Sequence, residues 1–114
     1  MNELGFNKTE IKILKYLYEQ FEKGMTDAYL TAIAKYIGKS KPATLDNLRN
    51  LESKDMLKAR PNPNIDPTNI DTRRPTRFYD LTDKGKAFGW AFLHIDRFVD
   101  LYKSAYIIVL PQSA

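Results

Sequence analysis

The sequence predicts a mostly helical α+β fold, in which a hairpin separates three short helices from one long helix. Apolar residues recur at helical spacing in three segments before residue 54. Two strand-like segments then flank a loop with the sequence PNPNIDPTNIDTRRP. After Thr82 an apolar stripe at helical spacing continues almost to Pro111. These observations place the chain in the α+β class with most residues in helices.

The stretch from Ile37 to Leu57 organises the rest of the chain. Ile37 completes an apolar row at the spacing of a buried helix face. Gly38 suits the left-handed residue that ends a helix, and Ser40 is a natural N-cap for the next helix. Pro42 lies in the first turn, where its missing N–H leaves no bond unmade. The pattern predicts a short helix, a sharp turn and a second helix.

The second of these helices has two distinct faces. Leu48 and Leu51 point inward, and either Thr44 or Leu45 completes their row. The opposite face is expected to be small, polar and cationic, with Lys41, Ala43, Asn47 and Asn50 on it and Arg49 on its flank. This arrangement is typical of a helix-turn-helix that enters the major groove of DNA.

The remaining elements follow in order. Asn7 and Glu10 have the spacing of a capping box for a first helix, about 8–23. A brief strand at Met25 and Thr26 is expected next, with Asp27 as the cap of a second helix, about 28–37. The reading helix is expected at about 41–53. A hairpin at about 56–81 behind a helix-turn-helix is a wing, so residues 1–81 form a winged-helix unit.

Thr82 is the expected cap of the last helix, about 82–110, which belongs to the same compact unit. A helix of this length measures about 40 Å, longer than so small a domain can cover. The excess apolar surface predicts a homodimer built on this C-terminal dimerisation helix. The expected interface consists of Phe88, Phe92, Ile95, Phe98, Val99, Tyr102 and Tyr106.

The net charge of +4 is concentrated in the middle of the chain. Residues 39–77 contain nine Lys and Arg and five Asp and Glu, whereas the segments on either side are neutral. A polyanion is therefore the expected partner of this third. The chain has no cysteine, no signal-peptide pattern and no apolar run long enough to cross a bilayer, so we expect a cytoplasmic protein.

Two motifs resemble the winged-helix transcription regulators of the MarR and PadR-like kind. SKPATLDNLRNLESKDMLKA is similar to their reading helix and second strand, and RFYDLTDKGKAF to their third strand and Leu-Thr-x-x-Gly turn. The chain departs from the pattern at Asp55, where the family usually has glycine, and in a longer, proline-rich wing. The resemblance implies a symmetric dimer on two half-sites, with the wing arginines near the minor groove.

The predicted DNA contacts have simpler alternatives, which the sequence leaves open. The outer face of the reading helix could be an ordinary solvated surface, and the wing arginines ordinary loop charges. Asparagine pairs with adenine, however, and arginine suits a narrow minor groove. The predicted reading-helix contacts are Lys39, Ser40, Lys41, Pro42, Ala43, Asn47, Arg49 and Asn50, and the wing contacts are Arg60, Arg73, Arg74 and Arg77.

The sequence contains no set of residues suited to catalysis or metal binding. His94 is the only histidine and has no cysteine for company, so we expect a packed or interfacial residue rather than a metal ligand. We therefore predict no enzyme activity, no metal and no cofactor. The aromatic residues of the last helix could line an effector pocket, although core and dimer interface explain them as well. The sequence leaves open whether a small molecule or a protein acts as an effector.

The prediction for function is sequence-specific binding to double-stranded DNA as a homodimeric transcription regulator that acts by site occupancy. A plasmid or viral partition-site binding protein is an alternative within DNA binding. A winged-helix adaptor that contacts protein is an alternative from another class. The basic middle third favours the DNA-binding hypotheses.

Overall fold

The computed structural model describes residues 5–63 and 75–109, with side chains described as far as residue 103. Three helices, a two-stranded antiparallel sheet and a long helix follow one another, which confirms the predicted fold class. The elements are α1 (Lys8–Glu22), α2 (Leu30–Ile37), α3 (Lys41–Ser53), β1 (Leu57–Pro61), β2 (Arg77–Leu81) and α4 (Asp83–Val109).

Helix α1 begins at the predicted capping box. The side chain of Asn7 accepts a hydrogen bond from the backbone N–H of Glu10 at 2.7 Å. The Glu10 carboxylate in turn accepts from the backbone N–H of Asn7 at 2.8 Å. Two donors that the helix start would leave unpaired are thus satisfied by one residue pair.

The start of α2 differs from the prediction. The helix begins at Leu30 rather than near residue 28, and Tyr29 occupies the N-cap without a side-chain bond. Asp27 does not cap the helix, because its carboxylate pairs with Arg60 at 2.9 Å. Met25 and Thr26 do not form a strand. A single bond at 2.8 Å, from the N–H of Tyr79 to the carbonyl of Ala28, ties this segment to β2.

The turn between α2 and α3 agrees with the sequence. Gly38 is left-handed, with φ of 71°, and Ser40 accepts from the N–H of Ala43 at 3.3 Å. Thr44, not Leu45, completes the inward row of α3, and it is fully buried. Its hydroxyl donates to the carbonyl of Ser40 at 2.8 Å, so burial leaves no polar group without a partner.

The hairpin presents one face to the helices. Leu57 lies opposite Leu81, and Ala59 lies opposite Tyr79, so these side chains share the inner face. Leu57 and Tyr79 are buried there. The pairing ends where Asn62 donates to the carbonyl of Thr76 at 3.0 Å.

The start of α4 is tied to the turn that precedes β1. Asp55 is left-handed, with φ of 61°, a conformation that aspartate tolerates better than most residues. Thr82 donates from its hydroxyl to the carbonyl of Asp55 at 2.6 Å and caps α4 by accepting from the N–H of Gly85 at 2.9 Å. A Cβ on Gly85 would lie 2.0 Å from the carbonyl oxygen of Met56. Only glycine allows so close an approach.

The core lies between α1, α2, α3, the hairpin and the first turns of α4. Phe6 contacts the rings of Phe88 and Phe92 edge-on, at centroid distances of 5.4 and 5.8 Å. A Cβ on Gly89 would lie 2.9 Å from the carbonyl oxygen of Leu14, so α4 packs closely on α1. The core cluster consists of Phe6, Ile13, Leu14, Leu17, Ile33, Ile37, Leu48, Leu51, Met56, Leu57, Tyr79 and Phe92.

One ion pair crosses this core from α1 to the end of α3. The Glu10 side chain is only 2% exposed, and Lys54 donates to its two oxygens at 2.9 and 3.1 Å. Lys54 also lies over the ring of Phe6 and donates to the carbonyl of Gly5. A carboxylate in so apolar a place is tolerated because a cation and a backbone N–H both contact it.

We expect Lys54→Met to lower the free energy of unfolding by about 2–3 kcal/mol, because it leaves the buried carboxylate of Glu10 without its cation. The control is Lys58→Met, which removes the same charge at an exposed position of β1. Urea denaturation of both variants measures the difference. Equal stabilities would show that the ion pair contributes nothing.

Candidate nucleic-acid interface

The outward face of α3 is rotated from the predicted one. The sequence placed Ala43 and Asn47 on this face, but both are only partly exposed, and Asn47 bonds to Asn7, the N-cap of α1. Of the two residues that the sequence left open for the third inward position, Thr44 is the buried one, and this choice sets which side chains point outward. The exposed side chains are those of Lys41, Pro42, Asp46, Arg49, Asn50 and Ser53.

The two asparagines of α3 have different surroundings. The amide oxygen of Asn47 accepts from Asn7 at 3.1 Å, and its nitrogen donates to the carbonyl of Ala43 at 2.9 Å. Asn50 is exposed, and its side-chain amide makes no hydrogen bond to any residue of 5–63 or 75–109. The Asn50 amide is therefore open to solvent, whereas the Asn47 amide bonds within the protein.

Asp46 is exposed on the outward face of α3 but is not among the residues predicted to contact DNA. It lies between Pro42 and Arg49 on the helix surface. Carboxylates accept hydrogen bonds from the amino group of cytosine, so an acidic residue is compatible with base contact. The sequence did contain a signal for it. If Thr44 faces inward, Pro42, Asp46 and Arg49 share the opposite face, because they are spaced by four and three residues.

Beside this face, a cleft opens between the start of α2, helix α3 and strand β2. Three exposed cations, Lys41, Arg49 and Arg77, line it. No carboxylate within the described residues forms an ion pair with any of them. The remaining lining residues are Tyr29, Leu30, Thr31, Leu45, Pro75, Thr76 and Tyr79.

Tyr79 forms part of the wall of the cleft and keeps its proton. Burial raises the pKa of its phenol above the ordinary value, and the nearby carboxylate of Glu52 raises it further. The positive charges of Arg77 and Arg49 act in the opposite direction but do not cancel the rise. The phenol is therefore neutral at physiological pH, and the positive charge of the cleft is not reduced by a tyrosinate.

Tyr29 and Thr31 line the cleft at the start of α2 and were also missed from the sequence. Their place at the first helix of the helix-turn-helix was the available signal, since that helix lies next to the nucleic-acid backbone in this motif. The prediction missed them because it took Asp27 as the cap and so began the helix two residues too early.

Arg60 is placed where it cannot serve as a free wing cation. Its guanidinium bonds to Asp80 at 2.7 Å, to Asp27 at 2.9 Å and to the carbonyl of Thr26 at 2.9 Å. It also lies 4.9 Å from the ring centre of Phe78. The bonds to Asp27 and Asp80 raise the pKa of Arg60, so it stays charged, but two carboxylates neutralise that charge. Arg60 joins the hairpin to the segment before α2.

The other predicted contacts fall into two groups. Lys39 and Ser40 are exposed in the turn before α3, and Arg77 is exposed on β2. Arg73 and Arg74 lie outside the described residues, so the structure does not place them.

Of the residues predicted to form the dimer interface, some pack in the core and others are exposed. Phe92 is buried in the core, and Phe88 packs against it, so neither is on an open surface. The side chain of Tyr106 lies outside the described residues. Four exposed residues extend the stripe along α4, namely Ile95, Phe98, Val99 and Tyr102.

His94 packs against the ring of Trp90, with 4.3 Å between the ring centres. Within residues 5–63 and 75–109 there is no group of His, Cys, Asp and Glu side chains that could hold a metal ion.

In the described part of the chain, no helix has the length and apolar character needed to cross a membrane.

Solved structures provide the comparison that identifies the fold. Staphylococcus aureus MepR in complex with DNA superposes with a TM-score of 0.68 at 24% identity, over 93% of this chain and 69% of that one. The adhesin competence repressor AdcR of Streptococcus pyogenes superposes with a TM-score of 0.65 at 22% identity, over 89% and 66%. Both are MarR-type regulators. The chain has the MarR-type winged-helix fold.

Other MarR-type structures agree. Lactococcus lactis ZitR superposes with a TM-score of 0.64 at 20% identity, over 89% of this chain and 60% of that one. No model of a known protein family matches the sequence, and no curated protein matches it. The MarR-type fold is therefore recognised from the tertiary structure and from the two motifs, at low overall sequence identity.

Proposed function

We propose that this protein is a homodimeric transcription regulator that binds double-stranded DNA sequence-specifically and acts by occupying its site. The observation that carries the proposal is the exposed face of α3, which continues into the cationic cleft formed with β2. MepR, which has the same fold, is a transcription regulator of a multidrug efflux pump and has been solved with DNA. A regulator of this kind works in the cytoplasm.

In this proposal α3 lies in the major groove. Asn50 is suited to adenine, Asp46 to the amino group of cytosine, and Arg49 to guanine or to a phosphate. Ser40 and Pro42 lie at the N-terminal end of α3, which approaches base edges first in a helix-turn-helix. Its N-terminal N–H groups also favour a nearby phosphate.

The cleft cations are proposed to bind the phosphate backbone. Lys41, Arg49 and Arg77 come from two different elements but meet at one cleft, and no described carboxylate pairs with them. Arg73 and Arg74, which precede β2 in the sequence, are proposed to meet the adjacent minor groove. Arg60 is not included, because its charge is used within the protein.

The double change Lys41→Ala with Arg49→Ala should flatten the dependence of log affinity on log salt by up to about 1.8 per protomer, because each phosphate contact contributes about 0.9. The control is Lys23→Ala, an exposed lysine at the far end of α1. Its removal changes net charge without touching the cleft. Fluorescence anisotropy at several salt concentrations measures the slopes. A slope that is the same for all three proteins would remove the cleft from the interface.

The homodimer is proposed to form along α4. Phe88, Phe92, Ile95, Val99 and Tyr102 follow one another at intervals of four, three, four and three residues. This spacing keeps a helical seam facing a second helix. The first two residues are covered by the core of the same chain, and the last three are exposed. The seam therefore runs out of the core onto a surface that one chain does not cover.

A second copy of α4 is the occupant that the charges favour. Asp96 and Lys103 flank the seam on the same side, seven residues apart. In an antiparallel pair, Lys103 of each copy approaches Asp96 of the other. Asp96 remains half exposed despite its bond to Lys15, so it is accessible to that lysine.

Val99→Glu should convert the dimer to a monomer, because it places a carboxylate in the middle of the seam. Leu101→Glu is the matched control: Leu101 is 71% exposed on the same helix but lies off the seam. Light scattering coupled to size exclusion gives the masses. A wild-type monomer at micromolar concentration, or dissociation by the control alone, would contradict this arrangement.

Two other functions are distinguished by simple experiments. A partition-site binding protein would select repeated sites near its own replication origin, whereas a regulator selects promoter DNA, so sequencing of bound genomic fragments separates the two. A winged-helix adaptor would show no salt-dependent DNA binding at all. MepR has also been solved with ethidium bound, and a small-molecule effector is accordingly proposed for this protein, without an assigned site.

A further inference from the structure

We propose that Asn7, which lies outside the reading face, is a positioning residue that sets the rotation of α3 through Asn47. This inference rests on the proposed DNA binding. It assigns a role in sequence readout to the capping box of α1, and it changes the role expected for Asn47 from base contact to support of the helix.

The link between Asn7 and Asn47 engages the oxygen and one N–H of each amide. The Asn7 oxygen accepts from the N–H of Glu10, and its nitrogen donates to the oxygen of Asn47 at 3.1 Å. The nitrogen of Asn47 donates to the carbonyl of Ala43 at 2.9 Å. One amide thus caps α1 and holds a side chain of α3 at the same time.

The same capping box holds α3 at a second point. Glu10, the other member of the box, pairs with Lys54, which follows the last residue of α3. Asn47 and Lys54 are seven residues apart, close to two helical turns, so they lie on one side of the helix. Two attachments on one side restrain both the rotation and the tilt of α3 against α1.

Rotation of α3 matters because base readout depends on where its side chains point. An α-helix with side chains is about 10–12 Å across, so a rotation of about 10° moves a side-chain tip by about 1 Å. A shift of this size is enough to lengthen a hydrogen bond beyond its useful range. Contacts made by Asp46, Arg49 and Asn50 would then all weaken together.

The alternative is that Asn47 leaves Asn7 and reads a base itself. The two roles differ in their pattern across the site. If Asn47 contacts a base, its removal affects discrimination at one base pair. Removal of Asn7 would then release Asn47 and leave base discrimination intact. A positioning link affects every base pair under α3, and Asn7 and Asn47 depend on each other.

The test uses variants that remove only the link. Asn7→Ser and Asn7→Asp keep an oxygen to cap α1 but lack the amide donor to Asn47. They are compared with Asn47→Ala, with the double variant Asn7→Ser and Asn47→Ala, and with Asn50→Ala as the expected base reader. Affinity for the selected site and for each single base-pair substitution is measured by anisotropy, beside thermal unfolding of each protein.

We expect Asn7→Ser, Asn7→Asp and Asn47→Ala each to lower the ratio of specific to non-specific affinity about fivefold, as loss of one hydrogen bond suggests. The loss should be spread over the base pairs under α3, and the double variant should lose no more than one single variant. Asn50→Ala should lose discrimination at one base pair. A merely structural role would lower the unfolding temperature but leave the ratio unchanged.

Two results overturn the proposal, and they are distinct from failure of DNA binding. Unchanged base discrimination in both Asn7 variants would show that the link does not position α3. Loss confined to one base pair in Asn47→Ala, with additive effects in the double variant, would make Asn47 a reader. Failure of the wild-type protein to prefer any DNA sequence would instead refute the proposed function itself.

Discussion

The buried carboxylate of Glu10 is the constraint on which the arrangement of the helices depends. It caps the start of α1 and pairs with Lys54 at the end of α3, so one side chain joins the supporting helix to the proposed reading helix. Because a buried carboxylate needs both partners, the two helices cannot slide or rotate without leaving a charge exposed to apolar surroundings. The orientation of α3 is thus coupled to the stability of the core.

Close backbone contact at the start of α4 is a second constraint. Gly85 and Gly89 allow the helix to approach the turn before β1 and the backbone of α1. Beyond Leu93 the described side chains of α4 are exposed, although apolar residues continue at the same spacing. The first turns of α4 therefore pack into the core, and the turns beyond Leu93 carry an exposed apolar seam. The proposed dimer helix is thus connected to α3 through α1, on which α4 packs and which the Glu10–Lys54 pair joins to α3.

The positive charges of the middle third are divided between structure and surface. Arg60 and Lys54 are paired with carboxylates and hold elements together. Lys41, Arg49 and Arg77 meet at one cleft beside α3, where no described carboxylate pairs with them. The net charge of this segment therefore does not indicate whether a particular cation is available to bind an anion. What matters for a polyanion is which cations are not engaged in an ion pair.

The sequence by itself determined the features that depend on neighbours along the chain. The capping box at Asn7, the left-handed Gly38 and Asp55, and the cap at Thr82 are all local, so these turns and helix ends could be predicted, whereas the start of α2 could not. Only the tertiary structure decided whether Thr44 or Leu45 faces inward, because both fit the apolar period of α3 and the choice depends on how the helix packs against the core. The same holds for Arg60, Asn47 and Phe92, whose partners Asp27, Asn7 and Phe6 are distant in sequence. Contacts of this kind depend on how the elements pack, and no periodicity within one element contains them.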